Sequence, residues 1–235
     1  MAKNKYKAGV KNSDNRVNIL GVGVNSTTVQ EVLAKIDKDK LFIVTVNPEF
    51  VMMAQDDSEF KDILNNADLA IADGVGLKLA GIKNIIPGRK LVEEIVKLKK
   101  YKIFYLGGQN GVAKEMAKKY GGEWDSGHSD IKNQIANSKI NEKIINKINK
   151  YKPDILLVAY GAPWQEKWLA ANFYRLNARV LIGVGGTFDY LAGRKSLPPA
   201  WFHEWLWRLI REPWRWKRKL SLVKFVLTVF KSFFQ

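Results

Sequence analysis

Short apolar segments alternate with amphipathic segments of helical length from residue 17 onward. The apolar segments predict strands at Val17–Val24, Leu41–Val46, Asp68–Ala72, Lys102–Leu106, Ile155–Tyr160 and Arg179–Val184. The segments between them predict helices at Thr28–Lys38, Ser58–Asn66, Lys90–Lys99, Gly111–Tyr120, Asn141–Lys150 and Pro163–Phe173. Continuous apolar strands are typical of a sheet covered on both faces, and strand–helix alternation favours parallel strands. The pattern predicts an α/β fold with a doubly wound, mainly parallel sheet and helices on both faces.

The pattern changes at the C-terminal end of the chain. From Leu220 to Phe234 the polar residues are Ser221, Lys224, Thr228 and Lys231, which form one narrow stripe on a helix. Fifteen residues are too few to cross a bilayer, which takes roughly 20 helical residues. Upstream, residues 201–216 hold five of the eight tryptophans. Tryptophans and cations beside an apolar helix predict attachment to an anionic membrane surface.

Charge is concentrated at the two ends of the chain. Residues 1–16 carry five Lys/Arg and one Asp, and residues 194–235 carry ten Lys/Arg and two Glu, within a net charge of +16. These shifts divide the chain into a basic arm (1–16), an α/β domain (17–194) and a C-terminal appendage (195–235). A basic chain suggests nucleic acid as a partner, but the apolar and aromatic character of the basic C-terminal end favours lipid instead.

The composition also excludes several kinds of site. The chain has no cysteine and two histidines, so we predict no disulfide, no thiol nucleophile, no metal site and no cofactor. The basic N-terminus lacks the apolar core of a signal peptide. We therefore expect a peripheral protein on the cytoplasmic face of the cell membrane.

Unusual loops follow the predicted strands, and ligands of such sheets bind at the carboxyl ends of the strands. These loops are Thr45–Phe50, Ala72–Gly76, Gly107–Gly111, Ala159–Trp168 and Gly183–Arg194. The glycines of 107–111 suit a phosphate or an ordinary turn. Gly185, Gly186 and Thr187 suit close approach of a ligand, or a tight turn with a capping threonine.

Asp73 stands at the end of an apolar strand. Its carboxylate is suited to accept a proton from a substrate hydroxyl, or to cap a helix that starts near Val75. Thr45 and Asn47 flank a proline turn, where Asx-turn chemistry is the alternative. Arg208, Arg211, Arg215 and Arg218 are spaced to share one helical face, which suits a diphosphate or lipid phosphates.

At these loops the chain resembles the bacterial WecG/TagA/CpsF glycosyltransferases, also called glycosyltransferase family 26. The matching stretches are Thr45–Glu49, Ala67–Gly76, Gly161–Trp168, Gly183–Arg194 and Glu204–Arg218. The resemblance implies metal-independent, inverting transfer of N-acetylmannosamine, or a related sugar, from a UDP-sugar to GlcNAc on undecaprenyl diphosphate. The products implied are teichoic acid linkage units, enterobacterial common antigen, capsules or exopolysaccharides.

The resemblance also implies roles for particular residues. Asp73 takes the position of the general base, with Thr45 as the second catalytic residue. Thr45 and Asn47 line the acceptor side, whereas Gln165 and the Gly185–Thr187 loop lie on the nucleotide-sugar side. The appendage arginines Arg208, Arg215 and Arg218 complete the site over the lipid diphosphate.

The chain departs from the family pattern at Pro87–Lys90, where arginine follows the Pro-Gly pair and lysine replaces an acidic residue. Two other classes of function remain open on the residues alone. A nucleotide-dependent oxidoreductase would need a full glycine fingerprint, and a non-enzymatic adaptor would bind membrane or nucleic acid through the basic end. A homo-oligomer in solution, formed through the apolar appendage, is a further expectation.

Overall fold

The computed structural model describes residues 16–127, 138–196 and 216–232, and these contain one eight-stranded sheet. The strands are β1 (Arg16–Ile19), β2 (Val22–Asn25), β3 (Leu41–Val46), β4 (Leu69–Ala72), β5 (Ile103–Gly107), β6 (Glu123–Asp125), β7 (Ile155–Ala159) and β8 (Val180–Gly183). Their order across the sheet is β1-β2-β4-β3-β8-β7-β5-β6. Only the β1–β2 pair is antiparallel. The mainly parallel α/β sheet predicted from the sequence is confirmed.

Helices cover both faces of this sheet. They are α1 (Val29–Ile36), α2 (Pro48–Asp56), α3 (Ser58–Asn66), α4 (Gly88–Lys97), α5 (Val112–Tyr120), α6 (Ser138–Tyr151), α7 (Trp164–Asn172), α8 (Thr187–Leu191) and α9 (Trp216–Ser232), with 3-10 helices at Val75–Ala80 and Phe173–Arg175. One buried cluster joins α2, α3, α6, α7 and α9 to the sheet, and a second joins α1, α4, α5 and α8. Alternate strand residues feed the two clusters, as the two-residue period of a strand requires.

Three local predictions are corrected. The predicted strand Val17–Val24 is a hairpin, because Leu20 and Gly21 take positive φ values of 51° and 81° and reverse the chain. The short strand β6 was not predicted, since three half-buried residues carry no clear apolar pattern. The loop after β3 contains a helix, α2, which begins at Pro48 with Asn47 as its N-cap.

The C-terminal helix α9 packs against α2 and the Val75–Ala80 3-10 helix. Phe225 and Val229 are buried within the first core cluster, 0% and 4% exposed. The opposite side of α9 exposes Leu220, Val223, Leu227 and Phe230. Among the helices that the structure describes, none combines the length and hydrophobicity that a bilayer crossing requires.

Candidate active site

The sheet order brings the candidate loops to one edge. Strands β4, β3, β8, β7 and β5 are consecutive neighbours and run parallel, so their carboxyl ends meet there. The helices that follow β3 and β7 pack in the first core cluster, as does the Val75–Ala80 3-10 helix after β4, whereas those that follow β8 and β5 pack in the second. The loops after β3 and β8, and those after β7 and its two neighbours, therefore diverge to opposite faces, which opens crevices of the kind that bind ligands in doubly wound sheets.

Asp73 and Thr45 lie at adjacent strand ends in this edge. Thr45 pairs with Ile71 in the β3–β4 ladder, and the Asp73 N–H extends that ladder by donating to the Val46 carbonyl at 2.6 Å. Thr45 is 8% exposed, and Asp73 is half-buried. Gly74, not Asp73, is the N-cap residue of the 3-10 helix that follows. Asp73 is therefore not the N-cap residue of that helix, and its chemical role remains a prediction.

Gly88 lies against the Thr45 and Asp73 side chains, a contact that the sequence did not reveal. A Cβ atom placed on it would lie 3.0 Å from Thr45 Cγ2 and 3.4 Å from Asp73 Oδ2. The segment that carries it is fixed to β4, because the Ile86 N–H donates to the Ala72 carbonyl at 2.8 Å. Gly88, in the loop where this chain departs from the family pattern, therefore packs against both Thr45 and Asp73.

Replacing Gly88 with alanine is expected to lower kcat while the fold remains intact. The added methyl group would press on Thr45 and displace it relative to Asp73. A misplacement of about 1 Å costs about 100-fold in rate, so a smaller shift of Thr45 should lower kcat by less than this, whereas alanine near a helix start changes stability by about 1 kcal/mol. Steady-state kinetics and urea unfolding measure the two effects.

Lys90→Ala is the matched control, because Lys90 is exposed in the same first turn of α4. Equal kcat values for Gly88→Ala, Lys90→Ala and the wild type would show that the close approach of Gly88 has no role in the reaction.

Asn47 is engaged in local structure. Its Oδ1 accepts the Phe50 N–H at 3.0 Å and so caps α2. This is the Asx-type alternative, and it orients the start of α2 beside the site. The acceptor-binding role implied by the resemblance remains a prediction for this residue.

Gln165 joins the loops after β7 and β8. Its Oε1 accepts the backbone N–H groups of Gly161 and Gly185, each at 3.0 Å. Its Nε2 donates to Glu166 Oε1 at 2.7 Å. Gln165 is 2% exposed and Glu166 is fully buried. The sequence pointed to Gln165 through the family motif, whereas nothing in the pattern separated Glu166 from an ordinary exposed helix residue.

Burial raises the pKa of the Glu166 carboxyl from 4.5 to about 7, although the hydrogen bond from Gln165 opposes this shift. Between these two pH values the unfolded chain loses the proton and the folded protein keeps it. The free energy of unfolding therefore falls as pH rises from about 4.5 to about 7, by roughly 3 kcal/mol in total.

Glu166→Gln should lack this loss of stability. Its free energy of unfolding, relative to the wild type, is expected to rise by up to about 3 kcal/mol between pH 4.5 and pH 8. Urea unfolding of both proteins at several pH values measures the difference. A constant difference across that range would contradict a buried, neutral Glu166.

Arg194 anchors the glycine loop after β5, Gly107–Gly111. Arg194 Nη1 donates to the Gln109 carbonyl at 3.1 Å, and its Nη2 donates to the Asn110 carbonyl at 2.7 Å. The same guanidinium forms a two-pronged ion pair with Glu115 on α5. Arg194 therefore ties the segment after α8 to a loop whose backbone N–H groups are candidates for phosphate binding.

The Gly185–Thr187 loop is compact. Gly185 has a φ of 49°, which favours glycine, and the Thr187 N–H donates to the Val184 carbonyl at 3.1 Å. Thr187 begins α8 and is 8% exposed, and the N-cap residue Gly186 provides no side-chain cap. Thr187 is therefore not the capping threonine of the tight-turn alternative.

The side chains of the appendage arginines predicted to bind the diphosphate are not among those that the structure describes. Arg208 and Arg215 lie outside the described residues, and Arg218 lies in α9 without a described side chain. Helix α9 of the appendage nevertheless reaches the segment after Asp73, since a Cβ on Gly76 would lie 3.2 Å from Leu222 Cδ1. Within the described residues no group of three or more His, Asp and Glu is arranged to hold a metal ion.

Comparison of the sequence with known proteins identifies its relatives. Residues 17–235 match the model of the "Glycosyl transferase WecG/TagA/CpsF family". A relative from Bacillus subtilis (strain 168) is 33% identical, over 92% of this chain and 90% of its own length. A relative from Staphylococcus aureus (strain MRSA252) is 29% identical, over 86% of each chain. Both are named N-acetylglucosaminyldiphosphoundecaprenol N-acetyl-beta-D-mannosaminyltransferase.

Proposed function

We propose that this chain, which belongs to the WecG/TagA/CpsF family of glycosyltransferases, transfers N-acetylmannosamine from a UDP-sugar to GlcNAc on undecaprenyl diphosphate. The observation that carries the proposal is the placement of Asp73 beside Thr45 and Gly88 at the carboxyl edge of the sheet. The names of the relatives supply the acceptor and the transferred sugar, and the resemblance implies UDP as the carrier of that sugar. A teichoic acid linkage unit is the product type that this reaction would serve.

The reaction is a single displacement in this proposal. The Asp73 carboxylate accepts the proton of the GlcNAc hydroxyl while that oxygen forms a bond to the anomeric carbon. The bond from the anomeric carbon to UDP breaks, and UDP leaves with the electron pair. One displacement inverts the anomeric centre. Thr45, packed against the same Gly88 backbone, helps to hold the acceptor in line.

Stabilisation of the leaving UDP requires positive charge or N–H donors near the diphosphate. The glycine loops after β5 and β8 are the proposed source of backbone N–H donors at this edge. The appendage arginines Arg208, Arg215 and Arg218 are the proposed cationic contribution, since a guanidinium matches diphosphate oxygens in geometry as well as charge. In this proposal the appendage acts as a lid over the lipid diphosphate.

We also propose that the protein acts as a peripheral protein on the cytoplasmic face of the membrane. The described residues expose eight large hydrophobic side chains, and six of them lie on two elements that touch each other, α9 and the 3-10 helix after Asp73. This apolar patch consists of Val75, Leu79, Leu220, Val223, Leu227 and Phe230. Such a concentration of exposed apolar surface is typical of an interaction site.

A bilayer fits this patch better than a protein partner alone. Lys224 and Lys231 are exposed on the same helix, and the appendage as a whole is basic, which complements anionic lipid. The polyprenyl acceptor also resides in the bilayer, so the patch would bring Asp73 to its substrate. Association of copies through the patch in solution would be reversed by detergent, which light scattering with and without detergent measures.

A donor panel tests the proposed reaction. UDP-sugars are incubated with a polyprenyl-diphosphate-GlcNAc acceptor, and the mass of the product is measured. UDP-N-acetylmannosamine is expected to give one added N-acetylhexosamine. Absence of any product across the panel, or stabilisation by NAD(P) and not by UDP in a thermal-shift assay, would overturn the proposal.

A further inference from the structure

We infer that Glu166 is a positioning residue for the nucleotide-sugar end of the site. It sets the orientation of the Gln165 amide and, through it, the spacing of the loops after β7 and β8. The inference rests on the proposed function only in assigning the donor sugar to those loops. The structural part of the inference stands on the contacts of the two side chains.

Only one of the two orientations of the Gln165 amide satisfies the hydrogen bonds around it. Its oxygen accepts the N–H groups of Gly161 and Gly185, both at 3.0 Å. If the amide were flipped, its NH2 group would face two further donors, and both backbone groups would lose their acceptor. Glu166 Oε1 accepts from Gln165 Nε2 at 2.7 Å, and this contact selects the productive orientation.

The pair lies directly against the backbone of β8. A Cβ on Gly183 would lie 2.7 Å from both Gln165 Nε2 and Glu166 Oε1. No side chain fits at that position without displacing the pair, so the amide and the carboxyl lie over the face of β8 at Gly183. The hydrogen-bonded unit Glu166–Gln165–Gly161/Gly185 thus fixes two loops with one amide oxygen.

A role in stability alone does not account for Glu166. Its side chain is fully buried, and its Oε2 has no hydrogen-bond partner among the described residues. A buried carboxyl with one unsatisfied oxygen destabilises a core relative to an apolar residue of similar size. Departures of this kind from local stability rules are expected at functional sites. The hydrogen bond that Glu166 Oε1 accepts from Gln165 gives this carboxyl a role in orienting the amide.

Loss of the Glu166–Gln165 contact is expected to affect binding of the donor sugar. The Gly161 turn and the Gly185–Thr187 loop follow the adjacent strands β7 and β8 at the carboxyl edge, where the proposed function puts the UDP-sugar. Thr45 and Asp73 are held by β3, β4 and Gly88, which the Gln165 amide does not touch. Loss of the amide orientation should therefore weaken donor binding more than it slows the chemical step.

Glu166→Met and Glu166→Gln test the inference as a pair. Methionine has a similar volume but offers no strong acceptor to Gln165, whereas glutamine keeps an amide oxygen in reach. Loss of one buried hydrogen bond predicts a rise in the donor KM of about three- to tenfold for Glu166→Met, with kcat changed less. Glu166→Gln should restore most of the donor affinity.

Hydrogen exchange at the Gly161 and Gly185 amides provides the readout without substrate. These two amides should exchange faster in Glu166→Met than in Glu166→Gln, relative to amides in the centre of the sheet. If Glu166→Met does not fold, Glu166→Asp replaces it, since the shorter side chain moves the acceptor away from Gln165. Unchanged exchange in the folded variant overturns the positioning role.

The two readouts separate this inference from the proposed function. Faster exchange without sugar transfer by the wild type would refute the proposed reaction and leave the positioning role intact. Transfer by the wild type, with equal donor KM and equal exchange in both variants, would refute the positioning role and leave the reaction intact. A lower kcat in Glu166→Met with unchanged donor KM would also overturn the inference.

Discussion

Replacing Asp73 with asparagine is expected to reduce sugar transfer by about 10²- to 10⁴-fold, the usual contribution of a general base. Asparagine preserves the shape of the side chain but cannot accept the proton of the acceptor hydroxyl. The Asp73 backbone N–H, which donates to the Val46 carbonyl, is unaffected by the change. Donor binding should remain close to that of the wild type, because the loss occurs in the transition state.

Initial rates with lipid-linked GlcNAc and calorimetric binding of UDP measure the two quantities. Asp62→Asn is the matched control, since it makes the same chemical change on the exposed surface of α3. A rate for Asp73→Asn within a few-fold of the control would remove Asp73 from the base role. A parallel loss of UDP binding would instead indicate a structural role for the carboxylate.

Replacing Leu220, Val223, Leu227 and Phe230 together with serine is expected to weaken binding to anionic vesicles by at least about 100-fold. Each of these side chains contributes about 1.5–3 kcal/mol if it is fully buried in the bilayer, so even partial insertion gives this loss. All four are exposed in the protein, so the fold should not depend on them. Vesicle flotation measures binding, and initial rates on vesicle-embedded acceptor should fall with it.

Lys224→Gln with Lys231→Gln is the comparison variant, since these exposed cations lie on the same helix. Their loss should weaken binding by about 1 kcal/mol per lysine, and only on vesicles that contain anionic lipid. Wild-type binding by the four-serine variant would contradict insertion of this helix face.

Deletion of residues 201–235 is expected to abolish transfer as well as vesicle binding. This deletion also removes Phe225 and Val229, which are buried against the body, so part of its effect would be structural. The serine variant is therefore the cleaner test of membrane attachment. A stable truncated protein with full activity on a water-soluble acceptor would refute the proposed lid.

Much of the fold could be predicted because each element carries its own signal. The β3 prediction, Leu41–Val46, and the α3 prediction, Ser58–Asn66, agree with the structure at every residue. The continuous apolar strand and the amphipathic helix bury their side chains in patterns that local sequence already displays. The hairpin at Leu20–Gly21 was missed because a two-residue reversal does not interrupt the apolar pattern.

Part of the site could be predicted for a similar reason. Asp73 and Thr45 follow apolar strands, and in a parallel sheet strand ends share an edge, so the sequence indicated a common site. The family motif supplied their roles, which remain proposals. Gly88 and Glu166 were not identified, because their importance depends on what lies next to them in space: Thr45 and Asp73 for the first, Gln165 for the second.

By itself, the sequence determined the α/β class, the candidate loops and the amphipathic C-terminal helix, since hydrophobic periodicity encodes which faces must leave water. Only the tertiary structure decided the strand order, which brings β4 beside β3 and β8 beside β7. It also decided that α9 packs next to the segment after Asp73, so that two elements with exposed apolar residues are neighbours. Such contacts join residues far apart in the chain, and their geometry depends on packing that no local pattern records.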